Sequence, residues 1–135
     1  MTSETEVFLP HGWKRPKGYA NAIVLPKGRP LFIAGMVGWD ENEVFQTDDF
    51  AAQFRQALLN IAACIKAAGS RSDCIGRMTI FVTDKQEYVG SLKQVGVFWR
   101  EVMGAHYPAM ALVEVQALLE EGAKVEIEAT GVVPE

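Results

Sequence analysis

Residues 47–69 read TDDFAAQFRQALLNIAACIKAAG, and the reading of this stretch decides the fold. Apolar side chains return at Phe50, Phe54, Ala57, Leu58, Ile61, Ile65 and Ala68, at steps of three and four that put them on one face of an amphipathic helix. Thr47, Asp48 and Asp49 offer oxygen acceptors to the unpaired amides of a first turn, and the acids suit the positive end of the helix dipole. Gly69 fits a left-handed stop. One apolar face demands a surface to cover, so the flanking segments should supply a sheet.

Downstream, Arg77–Thr83 (RMTIFVT) is a strand by its β-branched and aromatic content. Asp84-Lys85-Gln86-Glu87 resembles a capping box, and Tyr88, Leu92, Val95, Trp99 and Val102 then mark a second amphipathic helix ending near Gly104. Pro108–Val115 is the next strand and Glu120-Glu121-Gly122 a turn. In the last strand, Lys124–Ala129, Val125, Ile127 and Ala129 alternate with Lys124, Glu126 and Glu128. Upstream, Ala22–Leu25 and Leu31–Gly35 flank the turn chemistry of Pro26–Pro30 and predict a hairpin. Gly35 and Gly38 predict a break or bulge, and Trp39–Phe45 a short third strand. Residues 1–18, rich in Pro, Gly and charge, read as an irregular arm.

The order predicts an α+β fold in a single domain over residues 1–135, a mixed sheet of about six strands with two helices on one face. The other face is left uncovered. On the final strand it carries charge, and on the strand before it the expected face holds apolar Met110 and Leu112, so a partner is expected to cover it.

Composition narrows the function. At 135 residues, 49% hydrophobic and 22% charged, the chain builds a core without a metal or a disulfide framework. The net charge of −4 and the scattered Lys and Arg argue against a nucleic-acid face. No apolar run reaches membrane-span length, and the acidic N-terminus lacks a signal-peptide layout. Two cysteines, Cys64 and Cys74, fit a cytoplasmic protein with reduced thiols. Cys64 reads as a small core residue, and Cys74 follows Asp73, which disfavours a thiolate. His11 and His106 have no cysteine or acid at ligand spacing, so no metal is expected. Trp99 reads as core, and Trp39 as a wall of a cleft or a contact.

The ordered segments Leu31–Gly35, Gln53–Gly69 with Asn60, Thr79–Asp84, Tyr107-Pro108-Ala109, Val113-Glu114-Val115 and Lys124–Ala129 together resemble the Rid (YjgF-type) family, over about Tyr19 to Val132. The resemblance implies a chorismate-mutase-like fold and a homotrimer with a barrel-like centre. Ligand clefts would lie between subunits. It also implies cofactor-independent hydrolysis of reactive enamines and imines, such as 2-aminoacrylate, to a keto acid and ammonia. Tyr19, Ala34, Gly35, Leu92, Met110, Leu112 and Glu126 fall at the family's site positions.

Four of these seven have lost the family's polar group. Met110 stands where the family has the arginine after Pro-Ala, a guanidinium that grips a carboxylate through two parallel hydrogen bonds. Ala34 replaces a serine, Leu92 an asparagine, and Leu112 a cysteine or similar residue. Tyr19 is kept as a phenol or ring wall, Gly35 as an exposed amide, and Glu126 as the candidate general acid–base. Lys124, Glu126 and Glu128 also fit a plain solvated sheet face, Tyr19 a packed rim residue, and Met110 simple packing. The expected cleft favours a small, relatively apolar metabolite and disfavours an unpaired carboxylate. Three functions follow: an imine or enamine hydrolase of altered specificity, a non-catalytic ligand-binding trimer, and, least supported by the acidic charge, a translation inhibitor or ribonuclease.

Overall fold

A computed structural model describes residues 4–135; Met1, Thr2 and Ser3 of the acidic N-terminus lie outside the described residues. Six strands and three helices follow in the order β1 (Glu6–Phe8), β2 (Ala22–Val24), β3 (Gly28–Val37), α1 (Phe50–Ala67), β4 (Ile75–Val82), α2 (Lys85–Gly90), α3 (Leu92–Met103), β5 (Ala109–Glu114) and β6 (Val125–Pro134). The fold is α+β, but the strands divide between two sheets. The main sheet has the order β3-β6-β4-β5, and β1 and β2 form a separate ribbon. β4 and β5 are parallel and joined through α2 and α3, whereas β6 runs antiparallel to both β3 and β4. That crossover needs a helical connection, which the second periodic segment provides.

α1 begins where the acids predict. Asp49 is its N-cap, with extended backbone and a side chain accepting from the Ala52 amide at 3.0 Å. Gly69 takes a φ of 77° just past the end. Phe54, Leu58 and Ile61 are almost wholly buried against β3 and β6, and each such side chain contributes roughly 1.5–3 kcal/mol. One polar residue shares that face. Gln53 is fully buried; its amide donates to the carbonyls of Thr47 at 3.0 Å and Gly122 at 2.9 Å and accepts from the Lys124 amide at 2.9 Å. It ties the start of α1 to the start of β6. Asn60 holds the end of β3 in the same way, donating to the carbonyls of Val37 and Trp39. Gly38 lies so close to the Gln53 backbone that a Cβ would collide with it.

Several expectations are corrected. The hairpin of Ala22–Leu25 with Leu31–Gly35 does not form: β3 begins already at Gly28 and pairs with β6, and β2 pairs instead with β1, inside the arm expected to be irregular. Trp39–Phe45 is a turn. The Asp40 carboxylate accepts from the amides of Asn42 and Val44 and from Gln46, and Glu43 adopts a φ of 61°. Those bonds, the one from Val44 first, hold the Asp40 carboxyl below the usual aspartate range. The second helix is two helices, broken at Ser91 between Gly90 and Leu92, where Gly and Ser favour helix ends over helix interiors. Glu87 does not close a capping box; it pairs with Lys124 at 3.0 Å. Trp99 is core, as expected, and Cys64 is only partly buried.

Candidate functional site

Register decides which site residues share a face, because paired residues in a sheet point to the same side. Met78, Ile80 and Val82 of β4 pair with Ala129, Ile127 and Val125 of β6, and these six form the floor under the helices. Met110 pairs with Met78 and Leu112 with Ile80, so both lie on the helix side, half-buried against the core. The expectation that they line the uncovered face is therefore corrected. The parallel pairing with β4 sets β5 one residue out of phase from that reading, and a one-residue change of phase exchanges the faces.

The uncovered face carries Arg77, Thr79 and Phe81 of β4, Ala109, Ala111 and Val113 of β5, and Glu126, Glu128 and Thr130 of β6. Phe32 of β3 joins them opposite Thr130 and is 78% exposed. Between Ile33 and Met36 the register slips, so Ala34 and Gly35 sit in an exposed bulge. The Glu126 side chain lies over Gly35, where a Cβ would collide with the carboxylate. Gly35 is thus the residue that lets an acid approach the β3 backbone. Among the described residues, Glu126 has no hydrogen-bond or ion-pair partner, and neither does Arg77 on the same face.

One chain brings Glu126 and Gly35 together, with Ala34 beside them, but it does not bring them to Met110 and Leu112, which lie on the other side of the sheet. Leu92 is the half-exposed first residue of α3. Tyr19 stands at the edge of β5, where the Ala20 amide donates to the Pro108 carbonyl at 3.0 Å and Ala20 pairs with Ala109.

Tyr19 opens onto a cleft of about 520 Å³, whose other walls include Val7, Leu9, Arg15, His106 and Tyr107. Tyr107 is fixed there by parallel stacking on Trp99, with ring centroids 5.6 Å apart and planes within 6°. Trp99 donates from Nε1 to the His106 carbonyl, and His106 Nε2 lies 2.7 Å from the Ile75 carbonyl, so that nitrogen carries the proton. Sequence reasoning placed Arg15 in no site, used Tyr107 only within the Tyr107-Pro108-Ala109 motif, and weighed His106 only as a metal ligand. No periodicity marks an arm residue that folds back across a strand edge.

A second hollow, between the starts of α1 and α3, is lined by Asp48, Asp49, Glu87, Ser91 and Lys124. The Glu87 hydrogen bond is the largest cause raising the Lys124 ammonium above the usual lysine range, with Asp48 and Asp49 adding to it. Among the described residues no group of three or more His, Cys, Asp or Glu is disposed to hold a metal ion, and no helix is long and apolar enough to cross a membrane.

Comparison with known proteins extends the geometry. The family described as endoribonuclease L-PSP matches residues 14–133. The 2-iminobutanoate/2-iminopropanoate deaminase of Salmonella typhimurium is 33% identical over 78% of this chain and 80% of its own length. The crystal structure of YyfB from Yersinia pestis, described as a conserved Rid family protein of unknown function, superposes with a TM-score of 0.84 at 28% identity, over 95% of this chain and 98% of that one. The YjgF product of Escherichia coli superposes at 0.68 with 31% identity, covering 84% and 87%.

Proposed function

The chain belongs to the endoribonuclease L-PSP family, the Rid or YjgF proteins, and from that premise we propose that it hydrolyses an imine or enamine of a small, relatively apolar metabolite in clefts between the subunits of a homotrimer. The observation that carries the proposal is the Glu126 carboxylate, unpartnered among the described residues and laid over Gly35 on an uncovered sheet face. The printed name of the Salmonella relative, an imine deaminase, supports the reaction class.

The chemistry asks little of the protein. Water adds to the C=N carbon while Glu126 takes its proton. The same carboxyl returns the proton to nitrogen, and the carbinolamine collapses to a carbonyl compound and ammonia. One water enters, one ammonia leaves, and no cofactor is needed. Within one chain Glu126 faces away from Met110 and Leu112. They reach a common ligand only if one subunit's β5 edge meets another subunit's β6 face, which is what a trimer with a barrel-like centre provides. The uncovered Phe32, Phe81 and Val113 give that contact an apolar area to bury. With Met110 at the arginine position, the groove has no guanidinium there to pair a carboxylate, so 2-aminoacrylate is a poor substrate.

The test offers imines generated from several amino acids and measures carbonyl product. Glu126→Gln should lower turnover of the accepted imine by about 10²–10⁴-fold. A large acceleration of 2-aminoacrylate hydrolysis by the wild type would overturn the substrate class. Absence of turnover with a ligand held tightly in the groove would favour the second reading, a non-catalytic binding trimer, which the loss of donors at Ala34, Leu92, Met110 and Leu112 supports. The pI of about 5.2 speaks against the ribonuclease reading that the family description suggests.

A further inference from the structure

On the sheet face without helices, β4 and β6 each present one exposed residue, and the two are opposite in charge: Arg77 and Glu128. We propose that they are the two halves of an intersubunit clasp, Arg77 of one copy on Glu128 of the next. The clasp rests on the homotrimer of the proposed function and names the groups that choose its register.

Neither side chain has a hydrogen-bond or ion-pair partner among the described residues. Within one chain the register keeps them apart: Thr79 lies opposite Glu128 and Thr130 opposite Arg77, so the two charges are diagonal neighbours that do not meet. Their surroundings on this face are neutral, with Phe81, Ala109 and Ala111 beside the two threonines. Covering the face strips water from a cation and an anion, and a buried charge left unpaired is strongly destabilising. Arg77 lies one strand in from the β5 edge, and the residue between is Ala109, small enough for a long side chain to pass over. Glu128 belongs to β6, an interior strand, and so sits on the face rather than at an edge. The edge of one copy laid on the face of the next brings guanidinium to carboxylate, which can accept two parallel hydrogen bonds. Under threefold rotation each copy gives one Arg77 and offers one Glu128, so no charge is left over. Such a pair contributes more to the choice of register than to strength, because other registers set like charges or apolar surface against it.

Light scattering over a concentration series tests the clasp on the full chain. Arg77→Glu or Glu128→Arg alone should raise the concentration at which the trimer half-dissociates by at least about 100-fold. The two reversals in one chain should return it to within about tenfold of the wild type. Mixing the two single variants separates a contact between copies from one inside a copy. A mixed trimer has opposite charges at two of its three contacts, so the mixture should assemble, and native mass spectrometry should find both chains in one trimer. Both side chains are exposed in a single chain, and an unchanged circular dichroism spectrum would confirm that the variants fold. Single reversals as trimeric as the wild type would overturn the clasp and leave the trimer standing. So would a double reversal no better than either single one. Rescue by the double reversal without assembly on mixing would place the pair inside one chain and overturn the clasp as well. A wild type that stays monomeric throughout would remove the trimer and the clasp together.

Discussion

At the scale of the residue, the informative pair is Gly35 and Glu126. Gly35 has no unusual φ; it is needed because a Cβ there meets the Glu126 carboxylate. The far end of a glutamate can swing aside cheaply, so Gly35→Ala should change stability by less than about 1 kcal/mol. It should still move the acid from its station. Misplacing a catalytic group by an ångström costs on the order of 10²-fold, so kcat for an accepted imine should fall by about that much. In a Glu126→Gln background the same substitution should cost nothing more, and a double-mutant cycle reads this directly. Independent, additive losses would show that Gly35 does not act through Glu126. Met110 teaches a different lesson at this scale. Its identity, and the loss of a donor it implies, was legible in the sequence; the side of the sheet it occupies was not, because the apolar run Met110–Val113 has no clean alternation to reveal its phase.

At the scale of the element, α1 was readable nearly to the residue, since its cap, its stripe and its terminal glycine all agree. Gln53 was not readable as a buried anchor. A polar residue at a helix position looks solvated until the carbonyls of Thr47 and Gly122 and the amide of Lys124 are seen converging on it from distant parts of the chain. Gln53→Leu removes all three bonds and strands their partners, against some gain from apolar burial. The net loss should be about 2 kcal/mol, read as a lower urea midpoint with an unchanged m-value. A midpoint equal to that of the wild type would mean that water or local movement replaces the amide. The break at Ser91 escaped notice because Tyr88, Leu92, Val95 and Trp99 keep helical spacing across it.

At the scale of the whole molecule, one face of the main sheet has helices and the other has none of its own. Phe32, 78% exposed, and Val113, 42% exposed, lie on it beside Phe81. If three copies close around that face, the wild type should migrate and scatter light at three times the monomer mass. Phe32→Glu should then shift it toward monomer by placing a charge in the contact. Imine hydrolysis should be lost with the trimer, because Glu126 and Met110 would no longer meet. A monomeric wild type, checked by light scattering across a concentration series, would sink the intersubunit cleft.

The sequence by itself determined α1, the four main-sheet strands β3 to β6 in outline, the family, and the chemical poverty of the arginine position, because periodicity, turn residues and motif identity are local properties. Only the tertiary structure decided the strand order, the ribbon of β1 with β2, the bulge that lays Glu126 over Gly35, and the return of Arg15 to the edge of β5. These depend on register and on contacts between residues far apart in the chain. A single-residue change of phase leaves local composition untouched and yet exchanges the two faces of a strand.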